Sequence, residues 1–104
     1  MPYQLKFRRD ARNEFRRAAR WYENERPGLG KRFVDAVQSA LDEILKMPSR
    51  FGKVHGEVRK VRTAVFPFAI FFRIDGQKIR VLSVFHAKRD PLVWQSRADE
   101  EQAN

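Results

Sequence analysis

The sequence predicts an α+β domain: an N-terminal strand, a two-helix hairpin and a mainly antiparallel sheet of about four strands. Three observations carry this reading. Apolar residues recur at helical spacing from Ala11 to Leu45, the texture turns β-rich after Pro48, and Asp75-Gly76 separates two strongly alternating runs.

Tyr3, Leu5 and Phe7 alternate with Gln4 and Lys6, the period of a half-buried strand, which stops at Arg8-Arg9-Asp10. Asp10 is the expected cap of the next helix. Ala11, Phe15, Ala18 and Tyr22 then fall at i, i+4, i+7 and i+11, an apolar stripe. Arg9, Arg12, Arg16 and Arg20 occupy the opposite face, read as a solvated surface partly paired with Glu14 and Glu23. Pro27-Gly28 ends this helix. Leu29, Phe33, Val37, Leu41, Ile44 and Leu45 form the stripe of a second one, which Pro48 stops. Gly28 and Gly30 permit a tight reversal, so the two helices form an antiparallel hairpin.

Val54–Arg62 reads as a strand in which Val58 and Val61 differ in parity, the mark of a bulge or of a strand covered on both sides. Phe66, Phe68, Ile70, Phe72 and Ile74 share one face of the next strand; Ile79, Val81, Ser83 and Phe85 share one face of the last. A two-residue Asp75-Gly76 turn of type I′ pairs Ile74 with Gln77, Phe72 with Ile79 and Ile70 with Val81. Leu82 and Val84 make the last strand apolar on both faces, as a covered central strand would be. The N-terminal strand joins the sheet across the hairpin, parallel to one neighbour. Leu92–Arg97 makes one helical turn, Trp94 folds over the sheet edge, and the acidic end frays, giving a domain over 1–97 and a tail over 98–104.

Composition narrows the function. The chain has 104 residues, no cysteine, and 22 Lys+Arg against 13 Asp+Glu, a formal charge of +9. Without cysteine there is no disulfide framework or thiol nucleophile. His55 and His86 are not at ligand spacing, and nothing calls for a metal or cofactor. The longest apolar run, Val65–Phe72, contains Pro67 and is far below the roughly 20 residues that span a bilayer. With no signal-peptide core at the N-terminus, a cytoplasmic protein without a membrane partner is expected.

Between Arg50 and Pro91 lie ten basic and three acidic residues, so this stretch carries +7 of the +9. The β-rich half therefore owns the basic field, among aromatic residues, which suits nucleic acid or an acidic protein partner. His86, beside Lys88 and Arg89, with Arg62 on a neighbouring strand, contains the residue types needed to cleave RNA through its 2′-hydroxyl: a proton-transfer group and cations on the phosphate. Equally, His86 can be a structural residue at a strand end. No Walker loop, GxSxG, HExxH or GxGxxG pattern is present.

Taken in order, Ala18-Ala19-Arg20-Trp21-Tyr22-Glu23, Pro27-Gly28-Leu29-Gly30-Lys31-Arg32-Phe33, Phe66-Pro67-Phe68 and Phe85-His86 followed by Arg89-Asp90-Pro91 and Trp94 resemble a ParE toxin. That is one branch of the RelE/ParE superfamily of type II toxin–antitoxin systems, the plasmid stabilisation proteins. The resemblance runs from about Tyr3 to Arg97 and implies a curved antiparallel sheet under two helices. It implies a toxin that poisons DNA gyrase and forms a hetero-oligomer with an antitoxin whose acidic C-terminal segment wraps it. The RelE branch instead implies cleavage of mRNA on the ribosome; a non-toxic antitoxin-binding relative is the third alternative. For a gyrase-poisoning toxin the resemblance makes the exposed basic sheet residues and the C-terminal segment the target surface, with contacts expected at Arg59, Arg62, Arg73, Lys88 and Arg89, and antitoxin contacts expected at Trp21, Phe33 and Arg80. For an RNase it implies Arg62, His86 and Arg89 as the catalytic set. Phe85 or Trp94 stands where RelE enzymes carry a tyrosine hydroxyl, which favours action without hydrolysis.

Overall fold

The helical stripes become α1 (Arg9–Glu25) and α2 (Leu29–Lys46) in the computed structural model, which describes residues 3–102. Asp10, the expected cap, sits inside the first turn of α1. Its carboxylate accepts the Ala11 N–H and pairs with Arg8 and Arg97. Gly28 takes a left-handed φ of 89°, and Gly30 is where the helices touch: a Cβ there would lie 2.7 Å from the Ala19 carbonyl oxygen. Glu23 accepts the N–H groups of Gly28 and Gly30, satisfying donors that the start of α2 leaves free.

Five strands, one more than expected, form the sheet in the order β1-β5-β4-β3-β2. They are β1 (Gln4–Phe7), β2 (Lys53–His55), β3 (Val58–Arg62), β4 (Phe68–Asp75) and β5 (Lys78–His86). β1 runs parallel to β5 and every other pairing is antiparallel, as the sequence predicts. The predicted strand Val54–Arg62 is two strands, because Gly56, at φ 57°, reverses the chain between them.

The β4–β5 register differs from the expected one. Asp75 pairs with Lys78, so Gly76 and Gln77 are the turn, with a positive φ at Gly76 alone, the residue pattern of a II′ turn rather than I′. Ile74 then faces Ile79 and Phe72 faces Val81, which gives Ile74 the apolar partner that the other register would replace with Gln77. A bulge follows at Leu82, after which Phe71 faces Ser83 and Ile70 faces Val84. The bulge moves Phe85 off the face that Ile79 and Val81 occupy.

Each face of the sheet has its own core. Ile70, Phe72, Ile79, Val81 and Val84 pack under Phe33, Val37, Leu41 and Ile44 of α2 and Ala11 of α1. On the opposite face Val58, Ala69, Phe71, Leu82 and Phe85 are covered by Trp94 and Ala98. These belong to α3 (Leu92–Gln102), an 11-residue helix where the sequence predicts one turn and a frayed tail. Its acidic end is held by basic residues of the sheet and of the β1–α1 junction: Glu101 to Arg80 at 2.8 Å and Glu100 to Arg8 at 2.7 Å. Ala103 and Asn104 of the expected tail lie outside the described residues. Trp94 stacks on Phe71 of the middle strand, centroids 4.0 Å apart and planes 15° apart, rather than over an edge.

Candidate functional site

Two grooves flank the end of the β4–β5 pair, one on each side of the sheet. The first, about 310 Å³, lies on the α3 side. Phe71, Phe85 and Trp94 form its apolar floor, and Lys60, Arg62 and Arg89 its charge. Strand alternation puts Lys60 and Arg62 there together, two residues apart on β3 and paired with Phe71 and Ala69 of β4. The Lys60 ammonium stands 5.9 Å from the Phe71 ring centre, and the Arg89 guanidinium 4.9 Å from that of Phe85. Among the described lining residues there is no Asp, Glu, His or Tyr. The groove can hold an anionic surface, but it offers no histidine, carboxylate or phenol for proton transfer.

The second groove lies on the helix side, between α1 and the sheet, lined by Ala18, Trp21, Tyr22, Phe68, His86 and Arg89. Trp21 is 58% exposed and meets Tyr22 edge to face. Burial pushes the Tyr22 phenol up, so it stays protonated at neutral pH. The His86 ring stands edge-on to Phe68, and its Nδ1 accepts the Lys88 N–H at 3.0 Å, closing the turn after β5. With Nδ1 an acceptor, the neutral ring carries its proton on Nε2.

Arg89 borders both grooves and reaches Glu14 at 3.4 Å. Glu14 is 7% exposed and lies against the outer edge of β5 just past the end of β1. It accepts from Ser83 Oγ, the Val84 N–H and Arg97.

The model of the ParE toxin of the type II toxin–antitoxin system, parDE, matches residues 5–91. The chain belongs to the ParE toxin family. A search of curated proteins finds no match. Among solved structures, a chain of the chromosomal ParDE system from P. aeruginosa superposes with a TM-score of 0.71 at 19% identity, over 83% of this chain and 97% of that one. A double-arginine mutant of E. coli toxin RelE in the free state gives 0.70 at 19% identity, over 97% and 98%. The same mutant in complex with an antitoxin RelBc peptide gives 0.62 at 18%, over 100% and 97%. These likenesses are of fold, and they match the helix hairpin on a mostly antiparallel sheet.

In this ParE chain the expected site residues do not all converge. Arg62 and Arg89 share the first groove, joined by Lys60, which sequence reasoning did not select. His86 is separated from Arg62 by the sheet itself. Arg62 pairs with Ala69 on the α3 face, whereas His86 pairs with Phe68, which packs on the helix side. The set Arg62, His86 and Arg89 is therefore not assembled in one groove. Arg59 donates to the Ser49 and Phe51 carbonyls at 3.1 and 2.6 Å, tying β3 to the turn after α2. Arg73 stands near Lys6, Lys78 and Arg80 at the far end of the sheet, and Lys88 is exposed in the turn after β5.

Of the residues expected to meet an antitoxin, Trp21 presents surface and Arg80 is engaged by Glu101. Phe33 is 0% exposed beneath Tyr22, Phe66 and Phe68, so it contributes core rather than contact surface, a correction to the expectation. Glu14, which the sequence suggests is a partner of the arginine face, is buried instead; the signal that could have found it is its place between Ala11 and Ala18 at the edge of the apolar stripe. Its partner Arg97 lies 83 residues away, and no local pattern announces it.

Proposed function

We propose that this ParE-family toxin acts by binding rather than by hydrolysis: the cationic groove of Lys60, Arg62 and Arg89 engages DNA gyrase and so blocks replication. The observation that supports this is the separation of His86 from Arg62 by the sheet, together with a groove that holds three cations and no histidine, carboxylate or phenol. Lys88, exposed in the turn after β5, extends the basic field beside Arg89, whereas Arg73 belongs to a separate basic cluster at the far end of the sheet. A cognate antitoxin with an acidic C-terminal segment neutralises the toxin, with Trp21 and the helix-side groove as its docking place. The E. coli RelE structure in complex with an antitoxin peptide supports an antitoxin as the natural partner of this fold.

Pulse labels for DNA and protein synthesis after controlled induction test the reading. DNA synthesis is expected to fall first, with purified protein inhibiting gyrase supercoiling. If protein synthesis falls first with cleaved mRNA, the RelE-type reaction replaces this reading. Unimpeded growth with soluble, folded protein would make the chain an antitoxin-binding relative without toxicity.

A further inference from the structure

Helix α1 carries five arginines and no lysine, and Arg9, Arg12, Arg16, Arg17 and Arg20 are all exposed. Arg9, Arg12, Arg16 and Arg20 fall within one narrow arc, opposite Ala11 and Ala18, which face the core. Arg12, Arg16 and Arg20 succeed one another at about 6 Å along the helix axis. The sequence suggests that Glu14 and Glu23 neutralise this face, and the structure shows that they do not. Glu14 is buried against the β5 edge with Ser83, Val84 and Arg97. Glu23 is turned to the N–H groups of Gly28 and Gly30. Asp10 is held by Arg8 and Arg97. Among the described residues no ion pair reaches Arg12, Arg16, Arg17 or Arg20.

We propose that this arginine face of α1 is a second docking surface, for the phosphate backbone of duplex DNA. It lies on the outer side of the helix layer, away from the groove beneath α3, so both surfaces can be occupied at once. Its chemistry selects the partner. Protein interfaces are anchored by apolar and aromatic side chains in a desolvated centre. This face has none: Trp21, the exposed aromatic of α1, lines the groove on the sheet side instead. A row of guanidiniums on a rigid rod, with Asn13 among them, matches a line of phosphates, for which arginine's fork geometry is suited and counterion release supplies the driving force. The inference goes beyond the choice of gyrase as target and does not depend on it.

The test is fluorescence anisotropy of the full chain with a 20-bp DNA duplex across a salt series, with circular dichroism on every variant. Replacing Arg12, Arg16 and Arg20 together by Gln removes up to three phosphate contacts and lowers the slope of log K against log salt by about 2.7. A control variant, Arg32→Gln with Arg50→Gln and Lys78→Gln, loses the same net charge from exposed positions elsewhere and keeps most of the slope. Equal effects of the two variants would overturn the proposal, since net charge alone would then explain binding. Single-stranded RNA or polyglutamate binding this face more tightly than the duplex would overturn it as well.

Discussion

Glu14 Oε1 and Arg97 Nη1 meet at 2.9 Å and together complete the hydrogen bonding of β5 where β1 has run out. Glu14 accepts the Val84 N–H at 3.2 Å, and Arg97 donates to the Leu82 carbonyl at 3.2 Å, so two side chains do what an adjacent strand's backbone would. The pair also joins layers: Glu14 comes from α1 on one face and Arg97 from α3 on the other. Arg97 holds Asp10 as well, and Arg89 reaches Glu14 from the rim of both grooves.

Removing the carboxylate leaves the buried Val84 N–H and Ser83 hydroxyl without their acceptor and takes from Arg97 one of its two carboxylates, Asp10 remaining. Glu14→Ala is therefore expected to lower stability by about 3–5 kcal/mol, the range for breaking one side of a buried ion pair. Glu14→Gln should lose less, because its amide oxygen can still accept from Ser83 and Val84. Urea denaturation of the three proteins orders them, and near-equal midpoints for wild type and Glu14→Ala would contradict the role assigned to the pair.

Gly30 sits where the two helices come closest, so Gly30→Ala should destabilise although alanine is the better helix former by about 1 kcal/mol. The added Cβ meets the Ala19 carbonyl oxygen at 2.7 Å and Glu23 Cβ at 2.9 Å, neither of which is a flexible chain end. The helices must part or the chain must shift, at about 1–3 kcal/mol. A thermal melt that rises on substitution would show that the helices separate freely.

Val65 stands in the β3–β4 loop at φ 72°, 87% exposed, a conformation that a β-branched residue adopts only under strain. Thr63 fixes the loop by donating to the Phe66 or Phe68 carbonyl. Val65→Asn places a residue that tolerates the left-handed region and is expected to stabilise by about 1 kcal/mol. Chemical denaturation measures it, and no gain would mean that the loop relaxes the strain elsewhere.

Acid should loosen the end of α3. The hydrogen bond from Arg80 holds the Glu101 carboxyl below the usual carboxylate range, helped by the charges of Arg80, Arg8 and Arg73 and opposed by burial. A depressed folded-state pKa means that the contribution is complete above the unfolded value of about 4.3 and is lost as pH falls below it. Amide exchange across residues 92–101 is expected to accelerate below that pH. Glu101→Gln should show faster exchange already at pH 7 and a weaker acid dependence, the ion pairs of Glu100 with Arg8 and Glu14 with Arg97 remaining; unchanged exchange in that variant would separate α3 docking from this carboxylate.

The core was legible where one element buries one face. Phe66, Phe68, Ile70, Phe72 and Ile74 do share the helix-side face, and the stripes of α1 and α2 meet over it. Of the two readings that the parity mismatch of Val58 and Val61 left open, a bulge or a strand covered on both sides, the second holds for β3, since Val58 joins the α3 core and Val61 the other. What failed depended on distant partners. The bulge at Leu82 reassigns faces without a local signal, and α3 is stable because Arg8, Arg80 and Phe71, remote in sequence, receive it. For the candidate site, residue types were legible and their side of the sheet was not: Arg62 and His86 looked adjacent, and one residue of register sends them to opposite faces.

That separation gives the sharpest functional prediction. His86→Asn keeps an oxygen able to accept the Lys88 N–H, as Nδ1 does at 3.0 Å, yet has no imidazole to transfer a proton. If the protein works by binding, this variant inhibits its target within about twofold of wild type, whereas a proton-transfer residue would cost about 10²–10⁴-fold in rate. Lys60→Glu with Arg62→Glu reverses the groove's charge without touching Arg59, whose guanidinium holds the Ser49 and Phe51 carbonyls, or Arg89, which pairs with Glu14. Lys60 and Arg62 are exposed, so the double variant should fold while its target affinity drops about tenfold or more, equivalent to about 1.4 kcal/mol. Gyrase supercoiling assays beside melting curves read both effects. The opposite pattern, with His86→Asn inert and the charge-reversed groove still active, would move the working surface to the helix side of the sheet.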